Sequence, residues 1–154
     1  MKHFASLGAI AALLCFTQCT ENVGTCYDED HAAVWEADAY GMKPYVMAFL
    51  KSGPNRSGSP EERMKLQEAH MANIDRMAAA GQLVLAGPFS DNSDIRGIYI
   101  FNVADTAVAR EWTATDPAIQ AGSLTMELHP WYGSAALMAL NDLHTLVQDR
   151  KITD

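Results

Sequence analysis

The sequence predicts an α+β fold in which four strands and two helices follow one another as β-α-β-β-α-β. Three observations carry that expectation. Four runs rich in β-branched, aromatic and aliphatic residues are each bounded by Gly, Pro, Asn, Asp or Ser. Two stretches between them show helical periodicity with recognisable starts and stops. The helices fall after the first and third strand-like runs, so the order is that of a split βαβ, or ferredoxin-like, sandwich.

The chain begins with a segment that does not belong to this pattern. Lys2 is followed by an uncharged, mostly apolar run of 13 residues, Phe4 to Phe16. That is too short for a membrane-spanning helix and suits the hydrophobic region of a secretory signal. Residues 1–19 are therefore expected to be a signal peptide, and the protein to be exported. Cys19 closes the run and is a candidate lipidation site, although Phe16, Thr17 and Gln18 make a poor small-residue recognition sequence. Two outcomes stay open: a membrane-anchored lipoprotein tethered through Cys19, or a periplasmic protein in which Cys19 and Cys26 pair. No cysteine lies beyond Cys26, so the body of the fold has no thiol nucleophile and no cysteine-based zinc site.

Residues 20–41 read as an acidic linker, with Asp30 placed to cap a short helix over His31 to Ala39. His31 stands near Asp28, Glu29 and Asp30, which are metal-ligating residue types. Incidental charges on an exposed linker account for them better than a metal site does, and no element shows metal-ligand spacing; no metal and no cofactor is expected.

Strand one is the apolar run Tyr45 to Leu50, and a loop of Gly, Pro, Asn and Ser residues follows it. The first long helix then opens at Ser59, a good N-cap, with Pro60 at the first helical position and Glu61 and Glu62 at the positive end of the dipole. Gly81 supplies the stop. At about 100° per residue, Arg63, Leu66, Gln67, His70, Asn73, Ile74 and Met77 fall within roughly 60° of one line. His70 thus sits in the stripe expected to face the core, where an imidazole needs a hydrogen-bonding partner. Gln82 to Ala86 is strand two, Pro88 to Asp94 a polar turn and Ile95 to Val103 strand three. Asp105 or Thr106 caps a second helix bearing Val108 and Trp112, and Pro117 is expected to end it. Gly122 opens strand four, Leu124 to Trp131, and Ser134 to Gln148 reads as a C-terminal helix.

Strand one is apolar on both parities, and strand three nearly so, with Tyr99, Phe101 and Val103 on one side and Ile98 and Ile100 on the other. Two helices cover only one sheet face. The expectation is a homodimer with sheets packed face to face; the alternative is that the C-terminal segment folds back over the second face.

Composition excludes some partners. The net charge is −8, and all 19 acidic residues lie beyond position 20, so a phosphate backbone is repelled and nucleic acid is not expected as a partner. No Gly-rich loop precedes a helix, and Ser90 lacks a nucleophile elbow, so nucleotide and serine-hydrolase chemistry have no support. The membrane enters only through the possible lipid anchor.

Three stretches resemble those of the YciI-like (YCII-related) family of dimeric α+β barrels: Arg63 to His70, a helix bearing an inward histidine; Gly81 to Pro88, close to G-x-L-x-x-A-G-P; and Thr115-Asp116-Pro117 with Gly122, Pro130 and Trp131. The match covers Lys43 to Tyr132, so residues 42–133 are assigned to the domain and residues 134–154 to a C-terminal helical extension. The resemblance implies a cofactor-free lyase, isomerase or dehalogenase-type enzyme acting on a small organic molecule, with His70 and Asp116 as its acid/base pair.

The residues support the same chemistry. A carboxylate accepting from one imidazole nitrogen fixes the tautomer and raises the basicity of the other. A histidine tied to a carboxylate purely for stability, with Asp116 as a turn residue, is the competing explanation. Arg96, Ser90 and Asp91 are candidates for binding the substrate, against an edge-strand ion pair for Arg96 and a plain polar turn for Ser90 and Asp91. A non-catalytic small-ligand-binding or structural protein of the cell envelope is the alternative function.

Overall fold

The computed structural model describes residues 27–150. The expected leader, Cys19 and its pairing with Cys26 lie outside the described residues. The elements run α1 (Glu29–Val34), β1 (Met42–Ser52), α2 (Pro60–Ala79), β2 (Leu83–Pro88), β3 (Ile95–Phe101), α3 (Thr106–Thr113), α4 (Pro117–Gln120), β4 (Leu124–Ser134), a 3-10 turn (Ala135–Ala139) and α5 (Leu140–Val147). Among the described residues, no helix is long and apolar enough to cross a membrane.

The four strands form one antiparallel sheet in the order β2-β3-β1-β4. This is the α+β, ferredoxin-like arrangement expected from the strand and helix order. Placing the first strand between the third and fourth lets both long helices cross back over the same face. That face buries Val46, Ala48 and Leu50 of β1 with Tyr99 and Phe101 of β3, Leu83 of β2, Met77 of α2 and Ala109 of α3.

The second face carries Tyr45, Val84 and Ile100, with Met47, Leu85 and Trp131 packed against them. Leu137 and Met138 of the C-terminal segment lie on this cluster. Asn141 Nδ2 reaches the Leu83 carbonyl at 2.9 Å, and the Tyr45 hydroxyl donates to the Ser134 carbonyl at 3.0 Å. The fold-back alternative therefore describes this end of the face, while Met47, Phe49 and Ile98 stay only half-buried. The segment expected as one helix from Ser134 divides instead: β4 runs on through Ser134 to pair with Met42, and only then does the chain turn onto the sheet.

Local signals explain the helix limits. At Ser59 both halves of a capping box form: the Glu62 N–H donates to Ser59 Oγ at 3.2 Å, and the Ser59 N–H donates to the Glu62 carboxylate at 2.7 Å. Gly81 ends α2 with φ of +68°, a conformation costly for any other residue. The expected inward stripe holds for His70, Asn73 and Met77, but Arg63 and Gln67 are exposed.

The first short helix starts earlier than expected, because Asp28 rather than Asp30 accepts the His31 N–H. It ends where Glu36 takes a left-handed φ of 56°. The segment expected as a linker is tied to the domain: Lys43 Nζ meets Glu36 at 2.6 Å and Asn102 at 2.7 Å, and the Tyr132 hydroxyl donates to Asp38.

Candidate functional site

His70 reaches the core from the middle of α2, one turn before Asn73 and two before Met77, the three buried positions of that helix. Asp116 arrives from the chain leaving α3. The expectation that Pro117 ends the second helix needs correcting here. The helix α3 stops at Thr113, and Pro117 opens α4 with Asp116 as its N-cap. Proline suits that position because its fixed φ is helical and its missing N–H would have had no partner there. Asp116 is fully buried, and its Oδ1 accepts the Ala118 N–H at 2.8 Å.

The two side chains meet. His70 Nδ1 lies 2.8 Å from Asp116 Oδ2 and 3.0 Å from Oδ1. A carboxylate only accepts, so Nδ1 carries the proton and Nε2 holds the lone pair of the neutral ring. The residue is 7% exposed. Its Nε2 lies 3.3 Å from the hydroxyl of Tyr99, a buried residue of β3. Burial, reinforced by the nearby charge of Asp116, pushes the Tyr99 phenol well above its ordinary value, so it stays protonated.

A second set of bonds fixes how α2 and the α3–α4 corner sit together. Asn73 Oδ1 accepts from Arg76 Nη2 at 2.9 Å and lies 3.1 Å from the Thr115 hydroxyl, whose one hydrogen it shares with the Trp112 carbonyl at 2.7 Å. Arg76 Nη2 also donates to Thr115 Oγ1 at 2.8 Å. Asn73 is one turn from His70, and Thr115 directly precedes Asp116, so this network holds the backbone on both sides of the pair.

The remaining candidates lie elsewhere on the surface. Ser90 and Asp91 are exposed in the turn after β2, where Asp91 Oδ1 accepts the Ser93 N–H at 3.2 Å. Arg96 is exposed in β3 at a register shift opposite Leu50 and Lys51, and forms no ion pair among the described residues. No hydrogen bond links these three to His70 or Asp116 among the described residues. His129 and Glu127 pair at 3.1 Å on the open part of the second sheet face, with Lys51 also on Glu127. His31 bonds to Asp28 at 2.6 Å, and no cluster of three metal-ligating side chains occurs among the described residues.

Tyr99, Asn73 and Thr115 were not expected as site residues. The signals available were the place of Asn73 on the inward stripe and the alternation that puts Tyr99 on the helix-covered face. Neither says which polar atoms meet. A cavity of about 350 Å³ is lined by Arg110, Thr113, Ala114, Ile119, Leu124 and Met126, against the corner that carries Asp116. A second, of about 260 Å³, lies beside Lys43, Asn102 and Glu36. The His70 ring lines neither.

The YCII-related domain family matches residues 45–132. No curated protein matches the chain. Among solved structures it is similar to the 5-chloro-2-hydroxyhydroquinone dehydrochlorinase of Burkholderia phenoliruptrix AC1100, in complex with 2,5-dihydroxybenzoquinone. The likeness has 21% identity, covers 58% of this chain and 93% of that chain, and has a TM-score of 0.42.

Proposed function

The chain belongs to the YCII-related domain family, and from that premise we propose that it is an enzyme acting on a small organic molecule without a cofactor, with His70 as the base and Asp116 as its orienter. The reaction class is a lyase, isomerase or dehalogenase-type step that begins with removal of a proton. One observation carries this reading: a buried carboxylate 2.8 Å from Nδ1 puts the lone pair of the neutral ring on Nε2, which takes up the substrate proton as the Tyr99 hydroxyl 3.3 Å away turns aside. Arg96, Ser90 and Asp91 are the proposed substrate contacts, being polar and exposed beside the turn between β2 and β3.

The context belongs to the same proposal. The leader-like first 19 residues support export, with Cys19 as the lipid attachment point. The half-buried Met47, Phe49 and Ile98 support a homodimer through the part of the second sheet face that the C-terminal segment leaves open.

A second reading is favoured by the dryness of the ring. At 7% exposure, and lining neither cavity, His70 also fits a structural tie that binds α2 to α4. The test separating the two is turnover of a panel of enolisable and phenolic compounds by the wild-type protein, His70→Ala and Asp116→Asn, each checked for folding by circular dichroism. The enzyme reading expects turnover of at least one compound by the wild type and its loss in both folded variants. Turnover that survives in the variants contradicts it. Ligand binding without turnover in any form supports a binding protein.

A further inference from the structure

The second nitrogen of His70 is not free. Its one hydrogen-bonding neighbour among the described residues is the Tyr99 hydroxyl at 3.3 Å, and the two ring planes lie within 18° of parallel. The place of Tyr99 in the sheet explains how the phenol comes to lie there. Its register partners are Ala48 on β1 and Ala86 on β2, so small side chains flank the ring on both sides of β3. Phe101, two residues along the same face, packs edge-on against it with centroids 5.7 Å apart. The tyrosine is thus held by packing, and its only polar atom meets the imidazole.

We propose that Tyr99 is the positioning residue of the pair, its hydroxyl holding Nε2 of His70 in both protonation states of the ring. Asp116 alone defines one end of the imidazole and leaves the other able to swing; two anchors on opposite nitrogens fix it. A hydroxyl suits the second position because it donates and accepts. When the ring is neutral, the Tyr99 O–H donates to the Nε2 lone pair. When the ring takes up a proton, the Nε2–H donates to the Tyr99 oxygen, and the hydroxyl hydrogen rotates away. Asp116 cannot change roles in this way, and it stays the acceptor throughout. The raised phenol is consistent with this, since a group that remains O–H keeps both functions. The charged and titratable groups set around the ring are Asp116 from the start of α4, Tyr99 from β3, and Arg76 farther along α2, turned towards Asn73 and Thr115.

The consequence for turnover rests on the acid/base reading of His70; the contact itself is tested on the ring nuclei and needs no substrate. In protein with ¹⁵N-labelled histidine, long-range ¹H–¹⁵N correlation spectra report which nitrogen carries the proton and whether the other accepts a hydrogen bond. The wild type is expected to show a protonated Nδ1 and a hydrogen-bonded Nε2. In Tyr99→Phe, which removes one oxygen and keeps the ring, the Nε2 signal is expected to move towards that of an unbonded imine nitrogen. An unchanged Nε2 signal in the folded variant overturns the proposal. If Tyr99→Phe does not fold, the wild type decides the matter: its Nε2 signal is expected at the position of a hydrogen-bonded imine nitrogen, and a signal at the position of an unbonded one overturns the proposal. Failure of the enzyme reading leaves these signals in place, so the two outcomes are distinct.

Discussion

His70 and Asp116 stand 46 residues apart in the chain and 2.8 Å apart in space, and the aspartate that meets the histidine also caps the helix α4. One carboxylate therefore serves two donors, the Nδ1–H of the ring and the N–H of Ala118. Any change at position 116 is felt both by the fold and by the imidazole. Asp116→Ala is expected to lose the cap, about 1 kcal/mol, and to leave a buried ring N–H without an acceptor, a further 1–3 kcal/mol or so. Asp116→Asn keeps a capping oxygen and is expected to lose less. Urea unfolding of the two variants at neutral pH checks the order, and equal losses contradict the double role.

The Asn73 network makes a separate prediction. Asn73→Ala removes the acceptor shared by Arg76 and Thr115 without touching either member of the pair. A stability loss of about 1–2 kcal/mol is expected from the missing hydrogen bonds. The ¹⁵N signals of His70 are expected to broaden as the corner before Asp116 loosens. Sharp, unshifted signals would show that the network is irrelevant to the pair.

Lys43 and Glu36 test how burial weighs against pairing. The lysine side chain is 5% exposed and the glutamate 75%, so removing one partner is not equivalent to removing the other. Glu36→Ala strands a buried ammonium, whereas Lys43→Met replaces that ammonium with an apolar chain of similar size and leaves the glutamate in water. Glu36→Ala is therefore expected to destabilise more than Lys43→Met, because the uncompensated buried charge is the larger penalty. Thermal unfolding of both variants gives the comparison, and the reverse order contradicts it.

The same contact is expected to respond to acid. The hydrogen bond from Lys43, followed by its charge, holds the Glu36 carboxyl below its ordinary value. A carboxyl lowered in the folded state contributes stability above its unfolded value, and that contribution is lost as the pH falls through the folded one. Cleavage within residues 28–41 by an acid-active protease is expected to accelerate as the pH drops below the ordinary glutamate range, and Glu36→Gln is expected to weaken that dependence, Asp28 and Asp38 keeping their own lowered carboxyls in the same segment. A pH dependence in that variant as steep as in the wild type would falsify the assignment.

Much of this was legible before any coordinates. The order of strands and helices, the capping box at Ser59 and the stop at Gly81 follow from local chemistry, and helical periodicity alone turned His70 inward. The three features that escaped share a cause. Pro117 is read correctly as a break but not as a beginning, because a proline after a helix looks the same whether the chain turns away or starts again. Tyr99 is assigned to a sheet face by alternation, yet alternation carries no information about which hydroxyl meets which nitrogen across elements. Leu137 and Met138 are recognisably apolar, but their landing place on Tyr45, Val84 and Ile100 depends on β4 continuing to Ser134, three residues past the expected end.

That landing place carries a prediction of its own. Ending the chain after Ser134 exposes the Tyr45, Val84, Ile100 and Trp131 surface. Self-association in sedimentation velocity is expected to increase, because an uncovered apolar sheet face seeks a second copy. Unchanged sedimentation would indicate that the face needs no cover.

Proton transfer at His70 is measured most directly by deuterium exchange. Enolisable compounds are incubated in heavy water with the wild-type protein or with His70→Gln, and proton NMR follows the loss of the exchangeable carbon-bound hydrogen. The account predicts protein-dependent exchange of at least one compound, slowed about 100-fold or more in the folded variant, as expected for loss of a positioned base. Exchange that proceeds at the same rate with both proteins across the compounds tested would contradict it.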